Sequence, residues 1–217
     1  MIETGITFGD IHSYDDLNLI LSESDVPPAE PKTSFIDVPG ADGSLDMTEA
    51  HGEVKYSDRE CTFTFTMNPL DSSTWEEKKT EVSNKLNGKV FKLTLDKDEE
   101  YYYTGRCVVN EYASDKRIRQ IVITARVHPY KFKQNVTTVT HELTEEPQTI
   151  SIFNARRSVA PSISCSNNNT MIVFGTATFN LSAGTHKVLD IRFVEGNNQL
   201  TLSGTGTVTF TFQEADL

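Results

Sequence analysis

Strict alternation of apolar and polar residues is the dominant pattern along this chain. Between Cys61 and Met67, Cys, Phe and Met take every second position and threonines take the positions between them. Because successive side chains of a strand point to opposite faces, this pattern predicts a strand with one buried face and one hydroxyl-rich face. Shorter apolar runs predict further strands at residues 17–21 and 34–38.

One segment breaks this period and predicts a single helix. Ser73 and Glu76 have the spacing of a capping box, and Gly88 is a plausible helix stop. The helix has one stripe that could lie against a sheet, and Trp75 is its largest apolar residue, so we expect Trp75 to anchor it. The other members of this stripe are Lys79, Val82 and Leu86.

After the helix, the period of two returns and predicts a three-stranded meander. Its strands begin near Phe91, Tyr101 and Ile121. A charged turn at residues 96–100 connects the first two strands, and a turn at residues 114–117 connects the second and third.

The meander ends at the segment His128 to Lys131, where the composition changes. Beyond it the chain has no Trp or Tyr, and Thr, Ser and Asn separate short β runs that end in a predicted closing hairpin around residues 204–206. We therefore predict a mainly β protein with domains at residues 1–131 and 132–217. The first is a β-barrel or sandwich with one packed helix, and the second is a small β-sandwich.

Charge is distributed unevenly along the chain. The 217 residues carry a formal net charge of −11, and residues 1–60 alone hold 14 acidic and 3 basic residues, a difference of −11. An acidic surface repels phosphates, so specific nucleic-acid binding is disfavoured. No apolar stretch approaches the length of a membrane span, and we expect neither membrane insertion nor a signal peptide.

The chain offers little chemistry for catalysis. Its five histidines have no metal-ligand spacing, and neither a nucleophile elbow nor a phosphate-binding loop is present. The three cysteines lie far apart, which favours small buried apolar residues over a disulfide or zinc framework. The acidic turn at residues 96–100 lacks the glycine and ligand order of a calcium-binding EF-hand. We predict no enzyme activity, no catalytic residue, no cofactor and no metal.

Several short motifs occur in an order that resembles the siphophage distal tail (Dit) proteins. They are a Pro-Gly-x-Asp-Gly-Ser loop, a Tyr-x-x-Arg strand entry, one helix, a His-Pro-Tyr-Lys segment and a glycine-asparagine approach to the final strands. In this sequence they occupy Pro39 to Ser44, Tyr56 to Arg59, Ser73 to Leu86, His128 to Lys131, and Phe193 to Leu200. The resemblance therefore spans nearly the whole chain.

The resemblance implies a structural role in a phage or prophage tail tip. Members of the family form a ring, typically a hexamer, through a tail-tube-like N-terminal domain, with a sandwich-like C-terminal domain facing outward. The ring joins the tail tube to the tail-tip and adsorption apparatus. The implied partners are further copies of the chain, a tail-tube protein, a tail-tip or tail-associated lysin protein and a receptor-binding protein. The implied location is the virion tail, after synthesis in the host cytoplasm.

Polar loop positions are the candidates for the ring interface or its lumen. The loop at residues 40–53 and the turn at residues 96–100 are long, polar and flank predicted strands. By analogy with such rings, the acidic excess of residues 1–60 would line a bore through which DNA passes, although an ordinary solvated acidic face explains the same charge equally well. The candidate residues are Asp42, Ser44, Asp46, Glu49, Asp98 and Glu99.

Two other functions remain open at this point. A host-surface carbohydrate-binding module would normally stack sugars on Trp or Tyr, which residues 132–217 lack, and their phenylalanines fall on alternating core positions. A tail-tube subunit would stack into open tubes rather than close into one ring.

Overall fold

A computed structural model describes residues 5–50, 52–71, 73–114 and 119–217. The chain divides into two compact units, Met1–Lys131 and Phe132–Leu217. The predicted turn at residues 114–117 falls largely outside the described residues, which omit 115–118.

The described chain is built mainly of strands, with one α-helix, α1 (Trp75–Leu86), and one short 3-10 helix, Asp96–Asp98. The strands up to residue 127 are β1 (Ile6–Phe8), β2 (Ile11–His12), β3 (Leu19–Asp25), β4 (Phe35–Asp37), β5 (Ser44–Asp46), β6 (Arg59–Met67), β7 (Val90–Leu95), β8 (Tyr101–Ser114) and β9 (Arg119–Val127). The later strands are β10 (Lys131–Lys133), β11 (Thr137–Leu143), β12 (Gln148–Asn154), β13 (Ser162–Cys165), β14 (Thr170–Phe174), β15 (Ala177–Leu181), β16 (Gly184–His186), β17 (Gly196–Ser203), β18 (Gly206–Phe212) and β19 (Ala215–Asp216).

The first unit contains an antiparallel sheet that rolls up without closing. Its strand order is β2-β1-β7-β8-β9-β6-β3. Although three strands separate β1 from β6 in this order, the rings of Phe8 and Phe65 lie 6.2 Å apart, so the sheet curls around a shared core. Its end strands, β2 and β3, do not pair with each other. Of the two predicted possibilities for this unit, the sheet is therefore not a closed barrel.

Strand β6 is central to this core and has the predicted alternation. Cys61, Phe63 and Phe65 are buried, whereas the threonines between them lie on the opposite, partly exposed face. The thiols of Cys61 and Cys107 are free and buried, and burial raises their pKa values to about 11 and about 12. Together with buried Cys165, they confirm the prediction of apolar, unbridged cysteines.

The free edge of the sheet at β3 is irregular. The register between β3 and β6 shifts between Leu21 and Glu23. At the shift, the Ser22 hydroxyl turns back and donates to the carbonyl oxygen of Thr64 at 2.9 Å. This β-bulge interrupts the row of groups that a further strand would need.

The predicted helix is present, but it begins one residue later than its predicted capping box. Thr74 is the N-cap: its backbone N–H donates to the Glu77 carboxylate at 2.8 Å, and the Glu77 N–H donates to the Thr74 hydroxyl at 3.3 Å. The predicted box of Ser73 and Glu76 is therefore wrong. Ser73 instead donates its N–H and its hydroxyl to Asp71, at 2.8 and 2.7 Å.

The buried stripe of α1 also differs from prediction at one position. Lys78, not Lys79, is buried, with 3% of its side chain exposed. Its ammonium group donates to the Leu17 carbonyl oxygen at 2.9 Å and lies 2.7 Å from carboxylate oxygens of both Asp71 and Glu81. Burial by itself raises the pKa of Asp71, but hydrogen bonds from Lys78 and Ser73 outweigh it and lower that pKa to about 2. A buried ion cluster thus ties the start of α1 to the loop just before β3.

The apolar contacts of the helix involve Trp75, Val82 and Leu86. Val82 and Leu86 are fully buried in the core of the first unit. Trp75 packs against this core but is only partly buried. The predicted anchoring role of Trp75 is therefore shared with the two aliphatic residues further along the helix.

The second unit is a sandwich-type pair of four-stranded sheets, with strand orders β11-β18-β13-β16 and β12-β17-β14-β15. Strands β17 and β18 belong to different sheets, so the predicted closing hairpin around residues 204–206 is wrong. The alternation of both strands is correct, because each buries one face in the common core. Sequence pattern cannot distinguish a hairpin from a link between two packed sheets, since both need the same turn residues.

Candidate assembly surfaces

A long excursion of the chain between β3 and β6 forms an arm, defined here as residues 33–54. Its base is held by an antiparallel bridge between Pro31 and Tyr56 and by a 2.7 Å hydrogen bond from the Lys32 N–H to the Lys55 carbonyl oxygen. The ring of Tyr56 packs edge-on against Tyr130, with centroids 5.8 Å apart. The arm is therefore fixed to the first unit at its base.

The outer part of the arm is a two-stranded hairpin. Strands β4 and β5 pair only with each other in the described structure, with Ile36 opposite Leu45 and Asp37 opposite Ser44. Gly40 and Gly43 in the connecting loop have φ values of 84° and 74°, a region that other residues enter at a cost. This explains the Pro-Gly-x-Asp-Gly-Ser motif: its two glycines turn the chain at the tip of the hairpin.

The hairpin exposes large apolar side chains. The exposed fractions are 60% for Phe35, 50% for Ile36, 46% for Val38 and 55% for Leu45. Ile36 and Leu45 are directly opposite each other and share one face of the hairpin, whereas Phe35 lies on the other face. Exposed apolar patches are uncommon on monomeric proteins and typically mark an interaction surface. An isolated two-stranded hairpin is also only marginally stable in water, so a partner that covers it would stabilise it.

Four of the predicted site residues lie on this arm. Ser44 donates to the Asp37 carboxylate at 2.5 Å, and Asp46 accepts the Thr48 N–H at 2.9 Å. Hydrogen bonds from the side chain and backbone of Thr48 hold the pKa of Asp46 below its ordinary value. Asp42 and Glu49 are exposed. The arm has five acidic residues and no Lys or Arg; the acidic residues are Asp37, Asp42, Asp46, Glu49 and Glu53.

The other two predicted site residues lie in the turn after β7. Asp98 forms an ion pair with Lys131 at 2.7 Å, and the Lys131 ammonium group lies 4.1 Å from the centre of the Tyr101 ring. Glu99 is exposed in the same turn. Asp98 is therefore engaged within its own unit, and the structure does not group these two residues with those on the arm.

A basic surface that the sequence pattern did not single out lies on the outward face of the rolled sheet. Arg106 of β8 is directly opposite both Val90 of β7 and Arg126 of β9, and all three side chains are exposed. Lys92 and Val108 alternate with the buried positions of β7 and β8 and are exposed on the same face. We call these five residues the basic sheet face. In the sequence, the available signal was that these residues alternate with apolar residues along the meander.

The basic sheet face combines positive charge with apolar surface. Val90 and Val108 are 52% and 43% exposed. The Lys92 ammonium group lies 4.5 Å from the centre of the Tyr102 ring, and Arg126 pairs with Asp58 at 3.0 Å. The arm has the complementary combination, because its apolar side chains are interspersed with carboxylates.

A cleft in the first unit is smaller than a typical ligand pocket. A cleft of about 140 Å³ lies between β3 and the end of β7, lined in part by Leu21, Leu95 and Lys97. Ligand pockets usually measure about 300–1,000 Å³, so this cleft is small. Within the described ranges, no three His, Cys, Asp or Glu side chains are grouped as a metal site would need. None of the helical segments described is long and apolar enough to cross a membrane.

The open rolled sheet with one helix, the arm and the following sandwich define a two-unit, mainly β fold of the phage distal-tail type. This architecture is similar to the crystal structure of the SPP1 Dit (gp 19.1) protein, described as a paradigm of hub adsorption apparatus in Gram-positive infecting phages. The likeness has a TM-score of 0.67 at 12% sequence identity and covers 97% of this chain and 98% of that one. The predicted resemblance to distal tail proteins is thus confirmed at the level of the fold.

No protein-family model matches the chain, and no curated protein matches it.

Proposed function

We propose that this protein is a structural hub of a phage or prophage tail tip, in which copies of the chain close into a ring. The observation that carries the proposal is the complementarity between the acidic, apolar arm and the basic sheet face, in a chain with the fold of a phage hub protein. In the ring, the arm of each copy lies on the basic sheet face of its neighbour.

Physical chemistry favours this contact for both surfaces. Apolar side chains on one face of the hairpin, Ile36 and Leu45, leave water when they meet Val90 and Val108. Carboxylates of the arm face Lys92 and Arg106 of the basic sheet face, which steers association and sets its orientation. The two surfaces differ, so the contact is head-to-tail, and a head-to-tail contact closes into a ring when the rotation between copies permits.

The same surfaces favour an interface role over a lumen role for the arm. A water-filled bore that repels DNA needs charge, but it gains nothing from exposed groups such as Ile36 and Val38. We therefore assign Asp42, Ser44, Asp46 and Glu49 to the contact between copies. Asp98 and Glu99 lie outside the arm and take no part in this contact.

The finer features of the proposal follow the distal tail family. The ring is a hexamer that joins the tail-tube protein to a tail-tip or tail-associated lysin protein, with a receptor-binding protein as a further partner. Its place is the virion tail after synthesis in the host cytoplasm, and its role is structural rather than enzymatic.

Mass measurement and imaging of the purified protein test this proposal. Light scattering across a range of concentrations, followed by electron microscopy, should show one closed ring of fixed mass. A variant with residues 35–46 replaced by a short Gly-Ser linker should stay monomeric while its sandwich remains folded. Long tubes from the wild-type protein would favour a tail-tube subunit. Rings that survive removal of the hairpin would show that the arm does not make the contact.

A further inference from the structure

The second unit, all of which the structure describes, has long stretches without charged side chains. Residues 158–186 and 196–213 contain no Asp, Glu, Lys or Arg, in a chain that is 24% charged overall. These stretches supply β13 to β18, six of the eight strands in the two sheets. A charge-free protein surface is unusual, because charged side chains are the common means of keeping a surface soluble.

The outward face of the sheet β12-β17-β14-β15 is entirely uncharged. It carries the residues that alternate with the buried positions of its four strands. Amides and hydroxyls predominate among them. They are Thr149, Ser151, Phe153, Asn197, Gln199, Thr201, Met171, Val173, Thr178 and Asn180. We call this surface the amide face.

One aromatic ring stands on the amide face. Phe153 is 60% exposed, whereas its strand neighbours Ile152 and Asn154 are buried. The prediction that the phenylalanines of this unit occupy core positions is therefore wrong for Phe153. It lies directly opposite Asn197, and the next outward pair along the strands is Ser151 and Gln199.

The polar groups around this ring can both donate and accept hydrogen bonds. The side-chain amides of Asn197 and Gln199 each offer two N–H donors and a carbonyl acceptor, and hydroxyls act in both senses. The hydroxyls of Thr149 and Thr201 lie 3.2 Å apart, so hydrogen-bonding groups continue across the two strands. Neutral sugars present the matching chemistry, since they have adjacent hydroxyls on one side and a C–H face that packs on an aromatic ring.

An ion pair lies at one end of the amide face. Arg156 donates to the Glu195 carboxylate just beyond the paired ends of β12 and β17. The amide face itself carries no positive group for an anionic polymer. Its apolar side chains are the exposed Phe153 and the half-buried Met171 and Val173 of β14. Protein interfaces usually have an apolar core at their centre. The chemistry of this face fits a neutral ligand best.

We propose that the amide face binds a neutral oligosaccharide, with Phe153 as the platform for a sugar ring and with Asn197 and Gln199 hydrogen-bonding its hydroxyls. None of its residues belongs to the arm or to the basic sheet face, so variants of this site test it separately from ring assembly. A shallow, flat site predicts weak binding by each copy, with a dissociation constant of about 1 mM.

The opposite sheet of the same sandwich supplies a matched control surface. Its outward residues include Thr140 and Thr209, whose hydroxyls lie 3.0 Å apart, much like the pair on the amide face. In the sheet order β11-β18-β13-β16, this face carries no aromatic ring at an exposed position. Thr209→Ala therefore removes an equivalent hydroxyl without touching the proposed site.

Saturation-transfer NMR with the full chain tests the proposal. The probes are maltohexaose, cellohexaose and chitohexaose, with poly(glycerol phosphate) as the charged comparison. Wild-type protein should transfer magnetisation to the ring protons of at least one neutral probe. Phe153→Ala should weaken that binding at least tenfold, Gln199→Ala about threefold, and Phe153→Tyr and Thr209→Ala should leave it within twofold of wild type.

Several results would overturn the proposal. They are the absence of transfer to all three neutral probes, stronger binding of poly(glycerol phosphate) than of any neutral probe, and unchanged binding by folded Phe153→Ala. The thermal unfolding transition of each variant checks its folding. If Phe153→Ala does not fold, Gln199→Ala decides the matter, and wild-type affinity in that variant would reject the site.

Discussion

The guanidinium group of Arg59 donates a 2.7 Å hydrogen bond from Nε to the carbonyl oxygen of Pro129, 70 residues further along the chain. A second nitrogen of the same group donates to that oxygen, and a third donates to the Pro27 carbonyl oxygen at 3.3 Å. The guanidinium also lies over the ring of Tyr103, 5.6 Å from its centre. The Tyr-x-x-Arg and His-Pro-Tyr-Lys motifs therefore meet in space.

Removal of this contact should destabilise the protein. Arg59 is only 6% exposed, so Arg59→Ala leaves buried carbonyl oxygens without a donor and should lower the free energy of unfolding by about 2–3 kcal/mol. Arg59→Lys keeps the charge but lacks the planar group that reaches two carbonyl oxygens, and it should lose nearly as much. Urea unfolding measures both, and full stability of the Lys variant would mean that charge alone matters.

The N-terminal cap of α1 gives a second prediction. Thr74→Ala removes one partner of the capping box and should cost about 1 kcal/mol. Ser73→Ala serves as the matched control one residue earlier, and it should cost less because the Ser73 N–H still donates to Asp71. A larger loss for Ser73→Ala in urea unfolding would place the cap where the sequence pattern predicted it.

Truncations along the helix distinguish its apolar contacts. Leu86 is fully buried, so Leu86→Ala should cost about 2–5 kcal/mol. Trp75 is only partly buried, and Trp75→Ala should therefore cost less than the roughly 3–5 kcal/mol typical of a fully buried aromatic residue. Chemical unfolding of the two variants, monitored by circular dichroism, shows which substitution costs more unfolding free energy. A greater loss at Trp75 would make it the main anchor after all.

Asp71 makes stability depend on pH in the acid range. Its pKa is lowered to about 2 in the folded protein, against about 3.9 when unfolded, so its contribution is fully present above about pH 4 and is lost as the pH falls toward 2. The shift corresponds to a contribution on the order of 2 kcal/mol. Asp71→Asn should lower stability at neutral pH and flatten the dependence across this acid range. Parallel curves of unfolding free energy against pH for the wild-type protein and the Asp71→Asn variant would contradict this.

Charge reversal tests the contact between the arm and the basic sheet face. Asp42→Lys with Glu49→Lys should weaken assembly at least tenfold, as should Lys92→Glu with Arg106→Glu, because each places like charges together. A chain with all four changes should recover much of the loss. Glu99→Lys, which lies outside both surfaces, is the control. Light scattering at fixed ionic strength measures the assembly of each variant. If the fourfold variant does not recover assembly, the arm and the basic sheet face do not contact each other.

The parts of the fold that the sequence predicted best are those governed by local pattern. Strand β6 alternates without interruption, so its buried face follows from its composition. The start of α1 was missed by one residue because Ser73 and Glu76 have the same spacing as Thr74 and Glu77. What separates them is Asp71, which engages Ser73 and leaves Thr74 as the cap.

The surfaces were harder to predict, because exposure depends on where a strand lies in the fold. The short apolar run of β4 resembles a core strand, yet Phe35 is 60% exposed since the hairpin stands away from the rolled sheet. Phe153 is out of phase with the apolar positions of β12, and that was the available signal of its exposure. The basic sheet face arises from side chains on three strands that only the sheet brings together.

The bulge in β3 affects how copies of this protein behave before they assemble. A straight free edge would offer its N–H and C=O groups to any similar strand, and crowded molecules would grow into fibres through it. The register shift at Ser22 breaks that template. Newly made chains that collide at high concentration therefore find no straight template at the β3 edge, so this edge leaves association to other contacts.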